Sequence, residues 1–456
     1  MQNILVLGSG LSSTSLIKYL LDHSENQWKV RVGDINIESA KKKIRQHPNG
    51  EAFFFDVFNE DQCTREIELS HIVISMLPAR MHHLVAETCV KLGRNMVTAS
   101  YLSPAIKALD GAAREKGIIL MNECGVDPGL DHMSAMQMIR QIEEEGGELL
   151  AFESSTGGLV APGFENNPWH YKFTWNPRNV VLAGNDGARF LHNGKFKYIP
   201  YHKVFQRIET IQVPKLGNFE VYGNRDSLTY RETYGLHNLN TMFRGTIRRP
   251  GYCEAWNIFV QLGATDDTYV MENTENMTYR EFINSFMAYQ TDIPVDIKLA
   301  RYLGFKEDSR MMERLKWLGI FENTKIGVAG LTPAKVLQKI LEKKWQLDPD
   351  DKDMIVMQHQ FDFLLNGEHK KRYSTLVYIG EDTSHTAMSM TVGLPLAMVA
   401  RQILEGKYLE TGVQLPLQSD LYKPVLKELE SYNIRFEEEE VKISQKNQAQ
   451  TGHNHT

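Results

Sequence analysis

The feature that most constrains this chain is its opening: an apolar run, Ile4 to Leu7, stops at Gly8-Ser9-Gly10-Leu11-Ser12-Ser13 and gives way to a helical pattern. A strand that ends at glycine and opens into a helix presents backbone N–H groups and the positive end of the helix dipole to a pyrophosphate. Gly8 and Gly10 fill the first two glycine positions of that fingerprint, and Ser13 stands at the third. With serine there, the loop by itself is equally compatible with an ordinary strand-to-helix turn.

The segments beyond the loop favour the nucleotide role. Short apolar runs, Lys29 to Gly33, His71 to Ser75, Asn95 to Ala99 and Ile118 to Asn122, alternate with helix-length segments such as Met81 to Leu92 and Pro104 to Lys116. Strands that are apolar throughout and separated by helices predict a parallel sheet covered on both faces. The second strand ends in Asp34, about 20 positions past the loop, where a carboxylate accepts from the adenine ribose hydroxyls. A carboxylate repels a 2′-phosphate, and no lysine or arginine lies between Ile35 and Ala40 to offset it, so NAD is expected over NADP. Asp56 and Val57 are candidates to sit over the adenine, although packing explains them equally well.

The 456 residues, 42% hydrophobic and 24% charged, suit two or three folded domains. A formal charge of −6 offers no broad basic surface, which argues against nucleic-acid and membrane partners. No run of about eighteen consecutive apolar residues occurs, and the amino terminus enters a strand directly, so a cytoplasmic location is expected. Cys63, Cys89, Cys124 and Cys253 lie far apart and read as buried free thiols. No metal site is expected: His82 and His83 are adjacent and would point differently, and His132 lacks a partner at ligand spacing.

The expected fold is an α/β doubly wound domain over residues 1–130, completed by 386–440, and an α+β substrate domain over 131–385. The latter carries a self-contained helical insertion near 275–350, begun by a Thr278/Glu281 capping box, with a second helix start at Thr332-Pro333. Asn366-Gly367 between two apolar runs predicts an antiparallel pair. Thr386 to Leu404 reads as a helix interrupted around Gly393 and Pro395, and 444–456, with His453 and His455, as a disordered tail.

Three segments end strands on the ligand side of the first sheet, at Ser75-Met76-Leu77-Pro78, Thr98 to Pro104 and Asn122 to His132. Together with GSG (8–10), TASYLSP (98–104), NECGVDPGLDH (122–132), TGGLVAP (156–162), YKFTW (171–175), NRDS (224–227), RGTIRRPG (244–251) and TVGLPLA (391–397), the chain resembles the saccharopine dehydrogenase family, most closely its glutamate-forming branch. The resemblance implies an oxidoreductase acting on a CH–NH bond, interconverting saccharopine with glutamate and 2-aminoadipate 6-semialdehyde through a nicotinamide cofactor, and a homodimer. Gly8 to Ser13, Asp34, Ile35, Asp56, Val57, Met76, Leu77, Ala99, Ser100, Val126 and Trp175 are then the cofactor-binding candidates. Trp175 reads equally well as a buried aromatic anchor.

Saccharopine carries three carboxylates around a secondary amine, so its site needs fixed cations and a group that moves protons at nitrogen. By resemblance, Arg225 is the leading clamp, with Thr246, Ile247 and Arg248 lining the same pocket; Arg249 reads equally as a surface ion pair. Ser100, Tyr101 and Asp127 are the candidates to hold the amino-acid end, and Tyr101 with Asp127 to handle protons. Asp127, before Pro128-Gly129, alternatively only sets a turn, and Asp131 only caps the next helix. Thr156 stands where many relatives carry cysteine, which puts the family's proton path in doubt for this chain. Competing expectations are a reductive-condensation relative such as carboxynorspermidine synthase, which several arginines disfavour, and a non-catalytic NAD-binding regulator.

Overall fold

The computed structural model describes residues 1–25 and 27–443; the expected tail and its histidines lie outside them. The chain forms two compact units. The first comprises Met1–Glu148, Leu365–Gly367 and Leu376–Glu438; the second comprises Leu149–Leu364, Glu368–Thr375 and the segment from Glu439.

In the first unit six strands alternate with helices: β1 (Gln2–Leu7), β2 (Trp28–Asp34), β3 (Gly50–Phe54), β4 (Ile72–Ser75), β5 (Asn95–Thr98) and β6 (Ile119–Met121). All pairings are parallel, in the order β6-β5-β4-β1-β2-β3, and the late strand Gly412–Gln414 adds beside β6. Ile4, Leu5, Val6 and Leu7 are all fully buried, as a central strand covered on both faces requires. The order reverses between β1 and β4, and in such sheets ligands bind beyond the carboxyl ends of the strands at that point.

This unit extends to Glu148 rather than ending at 130, because the helix Leu130–Glu144 packs against the helix Ser419–Leu429. That partner is remote in sequence. The helix Ala387–Leu404 is continuous, contrary to the interruption expected at Gly393 and Pro395. Gly393 instead permits close packing: an added Cβ would stand 2.8 Å from the Leu16 nitrogen. The Ser15 N–H donates to Ser389 Oγ at 3.1 Å across the same contact. Although long and apolar enough to cross a bilayer, this helix is largely buried within its own unit. Its surrounding core offsets the hydrogen bond that Pro395 removes.

The second unit is built on a mixed sheet. Its strands are β7 (Glu148–Val160), β8 (Ala188–His192), β9 (Lys195–Ile199), β10 (Ile208–Val213), β11 (Gly217–Gly223), β12 (Arg225–Asp226), β13 (Thr241–Arg248), β14 (Asp353–Leu365) and β15 (Glu368–Ile379). The main path runs β10-β11-β13-β7-β14-β15 and ends on the strand Glu437–Lys442. β13 runs parallel to β7 and antiparallel to β11. Asn366 and Gly367 turn β14 into β15 with φ of 52° and 78°, the positive values a two-residue type I′ turn demands.

The helices Tyr279–Asn284, Val295–Leu303, Arg310–Trp317 and Pro333–Glu342 occupy the expected insertion. Both halves of the Thr278/Glu281 capping box form, and Thr332 caps the helix that Pro333 opens. The insertion is not self-contained, however. Phe282, Leu315 and Leu337 share one core with Trp169, Trp256 and Trp345, so its apolar faces are buried by segments before and after it. All four cysteines are free and buried.

Candidate active site

The phosphate loop is shaped by steric facts at two glycines. Gly8 has φ of +102°, and a Cβ there would meet the Met76 carbonyl oxygen at 2.8 Å, so only glycine lets the ends of β1 and β4 approach. At Gly10 a Cβ would meet nothing within 4 Å. The loop therefore borders open space of the kind a pyrophosphate fills. Ser13 is buried and donates to the Gly10 carbonyl at 2.9 Å, so its hydroxyl braces the turn where the fingerprint has glycine.

Asp34 is fixed beside this loop. Its Oδ2 accepts from the Ser9 N–H at 2.5 Å and the Ser9 hydroxyl at 2.8 Å, and its Oδ1 accepts from the Asn36 N–H at 2.7 Å. Three of roughly four acceptor positions on a carboxylate are thus used, leaving room for one ribose hydroxyl rather than the two expected. Leu11, in the loop, and Ile35, next to Asp34, are exposed at 69% and 67%, apolar surfaces suited to an adenosine. These residues fit a dinucleotide.

Lys43 is a residue the sequence pattern did not single out. Its ammonium contacts the Gly10 carbonyl and donates to Ser13 Oγ at 2.8 Å. Burial lowers its pKa to about 8, against which the Asp34 charge acts. The segment from Ile35 to Ala40 carries no cation, and Lys43 reaches the loop from about one helical turn further on. Val57 is a core residue packed with Phe55 and Cys63, and Asp56 accepts the Phe58 N–H at 3.0 Å, so structure within this unit accounts for both.

The next two loops are tied together from beneath. The Tyr101 hydroxyl donates to Asp127 Oδ1 at 3.2 Å, so the expected proton-handling pair is brought into contact. Glu123 locks the surrounding backbone: its N–H donates to the Ser100 carbonyl at 3.1 Å, while its Oε1 accepts from the Leu102 N–H at 2.8 Å. Its Oε2 meets the fully buried His132 Nε2 at 2.7 Å. Asp131 accepts from the Gly129 N–H at 2.6 Å, bracing the helix start as a capping role implies. Met76, Leu77, Ala99 and Ser100 are half-buried at the carboxyl edge of the sheet, and Val126 is buried. Among the described residues no cluster of three or more His, Cys, Asp or Glu side chains is arranged to hold a metal.

In the second unit the strand alternation of β13 corrects one expectation. Successive residues face opposite sides of a sheet, and Ile247 is fully buried in a core with Val221 and Phe243. Thr246 and Arg248 occupy the other face. There Thr246 is in register with Thr156 of β7 and Tyr222 of β11. The Arg248 guanidinium lies 5.4, 5.7 and 5.3 Å from the ring centres of Tyr171, Tyr222 and Tyr252. Arg248 is 2% exposed, donates from Nη1 to the Ile247 carbonyl at 2.9 Å, and has no partner at Nε. Among the described residues no carboxylate pairs with it. Burial raises the pKa of all three phenols, so they remain neutral around it.

Two buried hydroxyl oxygens of this unit, Thr156 Oγ1 and Thr174 Oγ1, also lack partners. Gly157 lets β7 lie against β13, since a Cβ would meet the Ile247 carbonyl at 2.6 Å. Arg225 is placed differently from Arg248: its side chain is 56% exposed, Asp186 lies 3.7 Å away, and its backbone is held at φ of 52°. Arg249 forms an ion pair with Glu165, but with side chains only 13% and 22% exposed the pair lies largely out of solvent rather than on the surface. Trp175 is half-buried against the aromatic core, so the anchor reading accounts for its contacts within this unit.

Two family models cover almost the whole chain: the saccharopine dehydrogenase NADP binding domain matches residues 4–121, and the saccharopine dehydrogenase C-terminal domain matches residues 125–434. The chain belongs to the saccharopine dehydrogenase family. It is 32% identical to the saccharopine dehydrogenase [NADP(+), L-glutamate-forming] of Schizosaccharomyces pombe over 96% of this chain and 99% of that protein. The mitochondrial alpha-aminoadipic semialdehyde synthase of Bos taurus is 33% identical over 95% of this chain, which spans only 47% of that longer protein. The apo saccharopine dehydrogenase (L-Glu forming) of Saccharomyces cerevisiae superposes with a TM-score of 0.86 at 28% identity, covering 97% of this chain and all of that one.

The first unit is thus a nicotinamide dinucleotide-binding domain. The expected preference for NAD has no support from these relatives, since the family domain and the fungal enzymes carry NADP in their names.

Proposed function

We propose that this protein is a glutamate-forming saccharopine dehydrogenase, in which an oxidised nicotinamide dinucleotide takes a hydride from saccharopine and water hydrolyses the resulting imine to L-glutamate and 2-aminoadipate 6-semialdehyde, and which catalyses the reverse reductive condensation. The observation that carries this reading is Arg248: a buried guanidinium with an open Nε, ringed by neutral tyrosines and left without a carboxylate by its own unit. Burying a charge unpaired is costly, so such a site is built for an anion brought from outside. A substrate with several carboxylates meets that requirement; a diamine does not.

Gly8 to Ser13 and Asp34 would hold the cofactor, which when bound takes up or returns the hydride. Tyr101 and Asp127 hold the amine end of the substrate and carry its proton, Asp127 as acceptor and the phenol as the group that hands the proton on. Arg248, with Thr246 and Arg225, fixes carboxylates so that the reacting carbon keeps one orientation. Thr156 cannot do thiol chemistry, so its hydroxyl serves in binding.

Of the two cofactors we propose that NAD is preferred. Support comes from Asp34, whose carboxylate is held at the ribose position by three donors and would oppose a 2′-phosphate. The relatives' names point the other way, and Lys43 brings a cation close enough to Asp34 to narrow the discrimination. The same reading carries a cytoplasmic homodimer, tested by fractionation and by a light-scattering mass of two chains.

The deciding experiment is steady-state oxidation of saccharopine with each cofactor, following reduced nicotinamide and glutamate. Turnover with NAD exceeding that with NADP is expected, and Asp34→Ala should change the ratio of the two kcat/KM values about tenfold, the scale of one charged contact. No turnover with either cofactor in either direction would sink the proposal, and a wild-type preference for NADP would remove its cofactor clause.

A further inference from the structure

Behind the loop that carries Ser100 and Tyr101 lies a chain of hydroxyls joined by one imidazole, which the proposed reaction leaves unused. His82, 2% exposed, opens the helix His82–Leu92. Its Nδ1 is 2.8 Å from Ser75 Oγ and its Nε2 is 2.7 Å from Ser100 Oγ. Ser75 ends β4 and Ser100 stands two residues past the end of β5, half-buried at the edge where a ligand binds.

The protons in this chain can be counted. Thr98 has one hydroxyl proton, and it is committed to the Ser75 carbonyl at 2.9 Å. The Thr98 oxygen also accepts from the Ser100 N–H at 3.3 Å, and it faces His82 Nε2 at 3.5 Å. Toward the imidazole it therefore presents only lone pairs. A bare lone pair on Nε2 would oppose them, whereas a proton there is attracted to both Thr98 Oγ1 and Ser100 Oγ. Nδ1 then accepts from the Ser75 hydroxyl.

We infer that His82 is a positioning residue that donates from Nε2 to Ser100 Oγ, so that the Ser100 hydroxyl keeps its proton for a carboxylate oxygen of the substrate. In the opposite tautomer Ser100 would donate inward and present lone pairs outward, which suits the substrate's ammonium instead. The imidazole is neutral in this role: burial, and then the charge of His83, pushes its pKa down to about 4. It transfers no proton during turnover, and its effect on substrate is exerted wholly through Ser100.

This inference rests on the proposed saccharopine reaction, and its test separates the two. Wild-type turnover decides the reaction; the variants His82→Gln, His82→Leu, Ser100→Ala and the double His82→Leu/Ser100→Ala decide the inference. Ser100→Ala and His82→Leu should each raise the saccharopine KM about tenfold or more, the scale of a hydrogen bond to a charged group. The double variant should be no worse than Ser100→Ala, because one residue acts through the other. Glutamine, which can place an N–H near the Nε2 position, should restore KM to within about threefold of wild type.

Losses that multiply in the double variant, or a folded His82→Gln protein as impaired as Ser100→Ala, would overturn the inference. Nitrogen-15 histidine spectra of wild type and His82→Gln give an answer that needs neither turnover nor a folded leucine variant. The missing resonance pair should report Nε2–H with a bare Nδ1, and the reverse tautomer ends the proposal.

Discussion

The two units hold charge in opposite ways. Around the phosphate loop, the polar groups are backbone N–H donors and one carboxylate, Asp34, which accepts three hydrogen bonds from Ser9 and Asn36. On the β13 face of the second sheet, a whole guanidinium is buried among Tyr171, Tyr222 and Tyr252, with no carboxylate paired to it among the described residues. The first arrangement is local and electrostatically settled. The second carries the cost of a buried, unpaired charge, which the proposed role of Arg248 in holding a substrate carboxylate would offset.

The contrast is tested most severely at Arg248. Arg248→Met should lower kcat/KM for saccharopine by about two to three orders of magnitude, the loss typical of one partner in a buried charge pair. Cofactor affinity, read by fluorescence of the reduced nicotinamide, should be unchanged; its loss would erase the proposed division between the units. Stability should move the other way, since methionine removes an unpaired buried charge: the variant is expected to melt no lower than wild type.

A pH measurement probes the settled side. Burial, and then the charge of His83, pushes the His82 pKa down to about 4 in the folded protein, against an ordinary 6.5. Between those values the unfolded chain binds a proton that the folded one refuses. Stability contributed above pH 6.5 is therefore lost as pH falls toward 4, by up to about 3 kcal/mol at 1.36 kcal/mol per unit. Melting curves of wild type should fall more steeply over this window than those of His82→Gln, and parallel curves would show that the imidazole is not held neutral.

Smaller effects sharpen the same comparison. Gly8→Ala forces a Cβ against the Met76 carbonyl at positive φ, with an expected cost of about 1–3 kcal/mol in stability and weaker cofactor binding. The saccharopine affinity of whatever protein folds should change little. Arg225→Ala, removing an exposed arginine beside Asp186, should raise the saccharopine KM by about tenfold or less, well short of the Arg248 variant. A larger loss at Arg225 than at Arg248 would invert the ranking that burial gives them.

Much of the cofactor unit could be read directly because its signals are short-range. Gly8, Gly10 and Asp34 sit at fixed offsets from strand ends, and the capping box at Thr278 and the turn at Asn366-Gly367 are equally local. The motifs also pointed to the family and offered Tyr101, Asp127, Arg225, Thr246, Ile247 and Arg248 as site candidates, with Arg225 ahead of Arg248. What escaped were contacts that no local spacing encodes: Lys43 on the phosphate loop, Glu123 with His132, and His82 between two serines. A histidine in a helix start carries no pattern that says which hydroxyls will meet it.

Hydrophobic period, glycine geometry and capping are properties of a few neighbouring residues, so the doubly wound domain, the nucleotide loop and the family were legible in the sequence alone. Which side chains face which way was settled only when the chain folded. Register in β13 sends Ile247 into the core and Arg248 among the tyrosines, and packing of the helix Leu130–Glu144 carries the first unit to Glu148. Such choices depend on partners tens to hundreds of residues away, whose arrival no local pattern records.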